Sequence, residues 1–290
     1  MIFGMDTASI AQNKDVSWQR AKAEGPISFA FLRAAWGTST DTFFLQQWDP
    51  LKRAGIVAGV YVFLRFRTEK HGEAPDPTTQ AKAWIEILKD RIEAKKDLPP
   101  AIDVEFPGKG AAETGLKANQ LLDGVREAWQ VLADHFGVPP IIYTSGRVWR
   151  DDLENLPAPD LIESPLWLAL YLCQSGKPAV RDAARVAKSS PKVPLPWGDK
   201  EAWFIHQYQG DAISLPGFPS GNVDMNRFHV ITRGDSGGNV SWAQRRLGMG
   251  EQTGNFDDAT EAKLRAFQSE NGLSVDGVLG PKTFARLAWA

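Results

Sequence analysis

The chain has 290 residues, 43% of them hydrophobic and 23% charged, which allows one large domain and a smaller second one. A formal net charge of −2, without a block of like charges, argues against nucleic acid or a charged membrane surface as a partner. The single cysteine, Cys173, lies in an apolar stretch and is expected to be a buried structural residue. Histidines are scattered singly, so no zinc-ligand spacing is present and no cofactor is expected.

Neither the start of the chain nor its interior predicts a targeting or membrane segment. The opening "MIFGMDTAS" lacks the basic and apolar regions of a secretory signal peptide and is typical of a first strand. A run of about 18 apolar residues, as a membrane span requires, is not found. We therefore expect a protein without a membrane anchor, which needs another route if it acts outside the cytoplasm.

Residues 1–230 alternate between short apolar runs and amphipathic helical patterns. One helix is predicted from Asp76-Pro77 onward, with apolar residues at spacings of three and four, and a second from Leu121 to Phe136. Such alternation predicts an α/β fold with a mainly parallel sheet, and seven runs favour a closed, barrel-like sheet. The runs are "MIFGMD", "FAFLRAA", "VAGVYVFL", "PAIDVE", "PIIYTS", "LWLALY" and "AWFIHQY".

Two later segments differ from this pattern. Residues 172–200 are rich in Pro, Lys and Ser, which predicts a surface loop or a short helix with a loop near a strand end. Residues 233–290 form short helical patterns with a degenerate internal repeat, "TGNFDDATEAKL" and "VDGVLGPKTFARL". We predict a small three-helix domain over 233–290, following a domain over 1–230.

The stretch "LPPAIDVEF" places two acids, Asp103 and Glu105, inside an apolar run. Alternating strand side chains would point both to one face, with Cα atoms roughly 6.6 Å apart. Two carboxylates that close cannot both ionise freely, so one pKa should rise and leave a neutral acid beside an ionised one. This pair suits general acid catalysis, although an isolated acid pair is more often a surface feature of a strand end.

Two further acids strengthen the catalytic interpretation. Asp6 ends the first strand, and Asp224 is placed near the end of the last strand of the large domain. Closure of the sheet would make these strands neighbours, and the carboxyl ends of parallel strands form the working face of such sheets. Four converging carboxylates predict a catalytic cluster, with an all-oxygen Mg²⁺ or Ca²⁺ site as the alternative.

Aromatic residues beside the strand ends are compatible with a sugar substrate, because aromatic faces stack on the apolar faces of sugar rings. Most aromatic side chains are expected to be core, and two or three to line a cleft. The candidate substrate-binding residues are Tyr61, Tyr143, Trp167, Tyr171 and Trp203.

The motifs "GMDTASIAQNKDVSWQRAKAEGPISFAFLRAAWGT", "AGIVAGVYVFL", "LPPAIDVE", "IIYTS" and "DMNRF" together resemble glycoside hydrolase family 25, the lysozymes of bacteria and phages. The resemblance covers about residues 1–230. It implies an incomplete, flattened β/α barrel and hydrolysis of the β-1,4 bond between N-acetylmuramic acid and N-acetylglucosamine. By position, Glu105 matches the proton donor, Asp103 its partner acid, and Asp6 and Asp224 the other active-site acids.

The C-terminal motifs "GDSGGNVSWAQRRLG", "GNFDDATEAKLRAFQ" and "GLSVDGVLGPKTFARL" resemble the peptidoglycan-binding type 1 module, which implies affinity for the cell wall. The two resemblances together imply a peptidoglycan hydrolase similar to phage endolysins. Such an enzyme is expected to be a monomer that stays in the host cytoplasm until release and then acts on the wall. A non-catalytic wall-binding protein and a metal-dependent hydrolase remain alternatives.

Overall fold

The computed structural model describes residues 1–9, 16–68, 72–106, 110–187, 191–198, 202–219 and 222–290. Parts of the first quoted motif and of the predicted 172–200 loop lie outside these ranges. The strands of the described residues are β1 (Ile2–Thr7), β2 (Ile27–Trp36), β3 (Ser39–Thr40), β4 (Val57–Phe63), β5 (Ala101–Asp103), β6 (Ile141–Ser145), β7 (Leu166–Ala169), β8 (Trp203–Ala212) and β9 (Val223–Phe228).

Four of the described helices (α1, α2, α3 and α7 in the order given below) begin at a Ser or Asp side chain that accepts a hydrogen bond from the first turn. Asp76 accepts a hydrogen bond from the Thr79 amide at the start of α3, and Pro77 occupies its first turn, as predicted. No helix in the described ranges is long and apolar enough to cross a membrane. The helices are α1 (Trp18–Ala23), α2 (Thr42–Arg53), α3 (Pro77–Leu88), α4 (Ala118–Phe136), α5 (Ala183–Ala187), α6 (Gly238–Arg246), α7 (Asp258–Glu270) and α8 (Pro281–Leu287).

Eight of the strands close into a barrel. Their order is β1-β9-β8-β7-β6-β5-β4-β2, with β1 also paired to β2, while the short β3 pairs only with the end of β2. The ring of helices around the barrel is incomplete, because only short helical turns separate β6 from β7 and no helix is described between β8 and β9. The predicted incomplete β/α barrel is confirmed.

One expectation about the strands was wrong. The strand β9 runs antiparallel to both of its neighbours, β8 and β1, whereas the other barrel pairings are parallel. Asp224 therefore lies near the start of its strand, not near the end. An antiparallel strand begins at the rim where parallel strands end, so the acid still reaches the expected face of the barrel.

Large aromatic side chains fill the interior of the barrel. Phe29 and Phe31 are fully buried, and each lies over a glycine on the neighbouring strand. A Cβ atom on Gly4 would lie 2.4 Å from the Phe29 ring, and one on Gly59 would lie 2.5 Å from the Phe31 ring. Both positions therefore need glycine so that the rings can occupy the space.

The internal repeat of the C-terminal segment corresponds to a repeated buried glutamine. Gln244 accepts from the Gly254 amide and donates to the Thr260 hydroxyl, at 2.9 and 3.0 Å. Gln268 makes the matching bonds to the Gly277 amide and the Thr283 hydroxyl, at 2.9 and 3.3 Å. Each glutamine fixes the turn that precedes the next helix.

The three C-terminal helices pack against the end of the barrel at which the parallel strands begin. Phe284 is fully buried, and its ring lies 4.8 Å from that of Phe204 and 5.4 Å from that of Phe228. Trp242 and Trp289 donate indole hydrogen bonds to the barrel-domain carbonyls of Glu163 and Asp97. The helical segment thus closes one end of the barrel and shares its hydrophobic core. The domain boundaries, 1–230 and 233–290, stay predictions.

We expect Phe284→Ala to lower the free energy of unfolding of the whole chain by about 3–5 kcal/mol, because the change leaves a cavity between barrel and helices. Val275→Ala, at a position that is 49% exposed in the same segment, should have little effect. Urea unfolding of the two variants is the measurement. A separate early transition, with the barrel's midpoint unchanged, would show that the helical segment is energetically independent.

Candidate active site

The carboxyl-end rim of the barrel gathers the four predicted acids. Asp6 and Asp224 are direct register partners across the pairing of β1 and β9. Asp103 ends β5, and Glu105 follows two residues later, where the amide of Val104 still bonds the Tyr143 carbonyl of β6 at 2.9 Å. All four acids line one cavity of about 250 Å³.

Burial raises the pKa of every acid in this cluster, because removal from water penalises the charged form. Asp6 and Asp103 are only 5% and 4% exposed. The charge of Asp224 raises the pKa of Asp6 further, and the charge of Glu105 does the same for Asp103. The pKa of Asp224 is likewise raised by burial.

The pKa of Glu105 is also raised by burial, and the guanidinium of Arg147 opposes this rise. A raised pKa favours the protonated form that a general acid needs, and the positive charge of Arg147 favours release of the proton. Glu105 is therefore suited to donate a proton, and it lies beside three acids whose pKa values are raised as well.

A glutamine that sequence reasoning missed connects the acids to two tyrosines. The buried Gln207 on β8 donates from Nε2 to Asp6 Oδ1 at 2.8 Å and to Asp224 Oδ2 at 3.2 Å. Its Oε1 accepts from the hydroxyls of Tyr143 and Tyr171 at 2.8 and 3.0 Å. With donors and acceptor both engaged, this amide holds two acids and two aromatic residues in one arrangement.

Two other groups orient the pair formed by Asp6 and Asp224. Asn226 donates to Asp6 Oδ1 at 2.7 Å and accepts from the indole of Trp167 at 2.8 Å. The amide of Asp211 donates to Asp224 Oδ1 at 2.7 Å. Asp211 has a φ of 48°, in the left-handed region that few non-glycine residues adopt, and the ladder between β8 and β9 is bulged there.

Asp103 differs from the other acids in its hydrogen bonding. Its Oδ1 atom is buried, and no hydrogen-bond partner for it exists among the described residues. Arg33, whose charge lowers the pKa of Asp103, is itself paired with Asp41 at 2.9 Å. A buried acceptor without a partner is costly, which suits an atom that a ligand's N–H group is meant to reach.

The five candidate aromatic residues divide into two groups. Tyr61 lines the acid cavity, and Tyr143 and Tyr171 line a larger neighbouring cavity, with Tyr171 55% exposed. The other two, Trp167 and Trp203, are buried at 1% and 5% exposure. Neither can therefore present a ring face to a sugar.

The positions of the two buried tryptophans explain why they do not line the cleft. Trp167 stacks on Phe31 inside the barrel, with ring centroids 4.3 Å apart. Trp203 starts β8 at the opposite end of the barrel and lies under the Arg227 guanidinium, 4.8 Å away. The expectation that these two residues contact substrate is corrected.

One aromatic residue at the rim was absent from the predicted set. Trp36, at the end of β2, stacks on Phe63 with ring centroids 3.9 Å apart, and both residues line the acid cavity. Its place in the quoted "RAAWGT", at the end of an apolar run, was the available signal.

The donor set does not favour the metal-site alternative. Within the described ranges, no group of three or more His, Cys, Asp or Glu side chains is arranged to hold a metal ion. Amide N–H groups of Gln207 and Asn226 already point at Asp6, an arrangement suited to a carboxylate and not to a cation.

The raised pKa values predict a pH-dependent stability. Because the folded protein holds protons on these acids that the unfolded chain releases, their contribution to stability should fall as pH rises from about 4 to about 7. Burial raises the pKa of Asp224 to about 7, so the unfolding free energy of Asp224→Asn relative to wild type should rise across that window by about 3 kcal/mol. Urea unfolding of both proteins at pH 4 and pH 7 measures this change, with Asp49→Asn, at an exposed position, as the control. An unfolding free energy that changes equally with pH in Asp224→Asn and in wild type would contradict the prediction.

Comparison with known proteins places this geometry in a family. The family model for glycosyl hydrolases family 25 matches residues 6–217, and that for the peptidoglycan binding domain matches residues 236–287. The autolytic lysozyme of Clostridium acetobutylicum is 27% identical over 279 residues, which span 91% of this chain and 72% of that protein.

Solved structures share the fold. The bacterial lysozyme from Streptomyces coelicolor superposes with a TM-score of 0.60 at 24% identity, over 79% of this chain and 92% of that one. The family 25 lysozyme from Aspergillus fumigatus superposes with a TM-score of 0.60 at 24% identity, over 79% of this chain and 93% of that one. With most of its length matched by the family model, this chain belongs to glycosyl hydrolase family 25.

Proposed function

We propose that the chain is a lysozyme that hydrolyses the β-1,4 bond between N-acetylmuramic acid and N-acetylglucosamine in peptidoglycan. The observation that carries this proposal is the cluster of buried acids with raised pKa values at the rim of a family 25 barrel. The match to a peptidoglycan binding domain and the similarity to an autolytic lysozyme support the same substrate.

In the proposed reaction Glu105 is the general acid. Its carboxyl proton passes to the glycosidic oxygen as the bond between that oxygen and the sugar C1 breaks, so the leaving sugar departs neutral. The Glu105 carboxylate then accepts a proton from the water that completes hydrolysis, which restores the starting state. Its raised pKa and the nearby Arg147 suit both halves of this cycle.

We assign Asp103 to the N-acetyl group of the substrate. An acetamido N–H that donates to the buried Oδ1 of Asp103 would satisfy that atom and stabilise the ionised form. The acetamido oxygen is thereby turned toward C1, where it can act as the nucleophile. Ionisation of Asp103 also favours retention of the proton on Glu105, because the two charges repel.

Asp6 and Asp224 are proposed to tune the site. Repulsion from Asp224 raises the pKa of Asp6, and the hydrogen bonds from Gln207 and Asn226 lower it. These amides thereby favour negative charge at the rim where positive charge develops on the sugar ring. The ring of Tyr171, which is 55% exposed, is proposed to stack on a sugar ring.

The finer biological role is also a proposal. The combination of a catalytic barrel and a wall-binding segment supports a monomeric endolysin of a phage or prophage, stored in the host cytoplasm, that lyses cells on release and needs no nucleic acid. Expression in a bacterial host tests this role. Cells should stay intact until the membrane is permeabilised and then lyse, whereas lysis without permeabilisation would favour an exported autolysin.

We expect Glu105→Gln to lower turnover of purified peptidoglycan by roughly 10²–10⁴-fold, because proton donation to the leaving oxygen is lost. Glu127→Gln, the same change at an exposed position on α4, should keep full activity. Sedimentation with insoluble wall should be unaltered in both variants. Equal activity of wild type and both variants would contradict the assignment of Glu105 as the general acid. It would favour either another acid in that role or a non-catalytic wall-binding protein.

Products identify the bond that is cut. We expect mass spectrometry of borohydride-reduced digests to find the new reducing end on N-acetylmuramic acid. Reducing N-acetylglucosamine would instead indicate hydrolysis of the alternate linkage.

The same digest with a chelator tests the metal-dependent alternative. Activity should be unchanged, because the proposed reaction uses carboxyl groups alone. Loss of activity that returns on adding a divalent cation would contradict the carboxylate mechanism.

A further inference from the structure

A second, larger cavity lies beside Glu105. Its volume is about 880 Å³, against about 250 Å³ for the acid cavity, and Glu105 lines both. A cavity of this size holds a ligand considerably larger than one sugar ring. A glycan strand cleaved at Glu105 extends to both sides of that residue, so the charge and polarity of the lining decide what else the cavity can hold.

The two cavities carry opposite charges. Arg147, Arg150 and Lys192 line the larger one, and Glu105 is the single acid among its described lining residues. The acid cavity has five carboxylates and one cation, Arg33, which already pairs with Asp41. Substrate lying across Glu105 thus meets a negative environment on one side and a positive one on the other.

The cations of the larger cavity are available to a ligand. The two arginines pair with aspartates at 3.0 Å (Arg147 with Asp152) and 2.7 Å (Arg150 with Asp151), yet their side chains are 52% and 62% exposed. A guanidinium has five N–H donors, so these contacts leave some for a further carboxylate. Lys192 is exposed as well.

Apolar groups surround these cations. Leu170, Tyr171 and Leu195 line the same cavity and are 42%, 55% and 49% exposed. Large apolar side chains exposed together around one cavity indicate a binding surface. The ligand should therefore combine negative charge with small apolar groups.

We propose that this cavity binds the peptide stem carried by a muramyl residue of the substrate. The inference rests on the proposed lysozyme function. Sugar rings of the glycan are neutral, whereas the stem carries carboxylates together with the methyl groups of its alanines, which matches three cations beside exposed leucines. The cavity thereby makes the enzyme selective for glycan strands that still carry stems.

The experiment compares intact peptidoglycan with the same material from which an amidase has removed the stems. Full-length wild type and the double variant R150Q/K192Q are assayed on both by release of reducing ends. Arg147 is left unchanged because its charge acts on Glu105. The control K82Q/K89Q removes two exposed charges, one on α3 and one on the residue that follows it, outside both cavities.

We expect the double variant to lose roughly three- to tenfold in kcat/KM on stem-bearing wall and to match wild type on stripped wall, since exposed ion pairs contribute modestly. Wild type itself should prefer the stem-bearing wall, and about 0.5 M salt should reduce that preference by screening. The control should behave as wild type. If the double variant is unstable, the single Lys192→Gln variant is measured in the same way.

Two results would overturn the proposal. The amidase leaves a lactyl carboxylate on each muramic residue, so equal losses on both substrates would show that the cations bind this carboxylate or the glycan and not the stem. Equal activity of wild type and variant on stem-bearing wall would show that they bind nothing in the reaction. If wild type released reducing ends from neither substrate, the lysozyme function itself would fail, which is a separate outcome.

Discussion

Crowding of carboxyl groups where the barrel closes is the constraint on which the site depends. Register between β1 and β9 sets Asp6 directly opposite Asp224, and β5 brings Asp103 and Glu105 to the same cavity. Burial adds to the repulsion, and the pKa of each of the four groups is raised above its ordinary value. The fold thus favours the protonated form of carboxyl groups at the rim, where the proposed reaction donates a proton to the glycosidic oxygen.

Such crowding destabilises the folded state and needs support from neighbouring groups. Gln207 and Asn226 supply it, because both are buried and both direct amide N–H groups at Asp6. Gln207 also accepts from two tyrosines, which couples the acids to the wall of the larger cavity. The same amide therefore positions groups on both sides of Glu105.

The closed sheet and the acid cluster were predictable because they follow from simple regularities. Apolar runs that alternate with helical patterns predict a parallel sheet, and acids that end such runs predict a shared rim. The direction of β9 was not predicted, although "NVDMNRF" alternates polar and apolar residues, as antiparallel strands commonly do. Its acid reached the rim for a different reason from the expected one.

Other features depend on contacts between distant parts of the chain. Trp167 and Trp203 have the same local pattern as a rim residue, and only the closed barrel shows that they are buried. Gln207 is one polar residue within a strand, without a local signal for its four partners. Phe284 has the helical spacing of a residue in its own module's core, although it also packs on the barrel.

Direct observation of the protons would test the central claim most sharply. Carbon-13 NMR of the side-chain carboxyl groups, recorded on the full-length protein from acid to neutral pH, follows each acid separately. The account predicts that Asp6, Asp103, Glu105 and Asp224 all titrate above the ordinary pKa values of exposed acids. Ordinary titration of all four, with every group ionised by about pH 5, would contradict it.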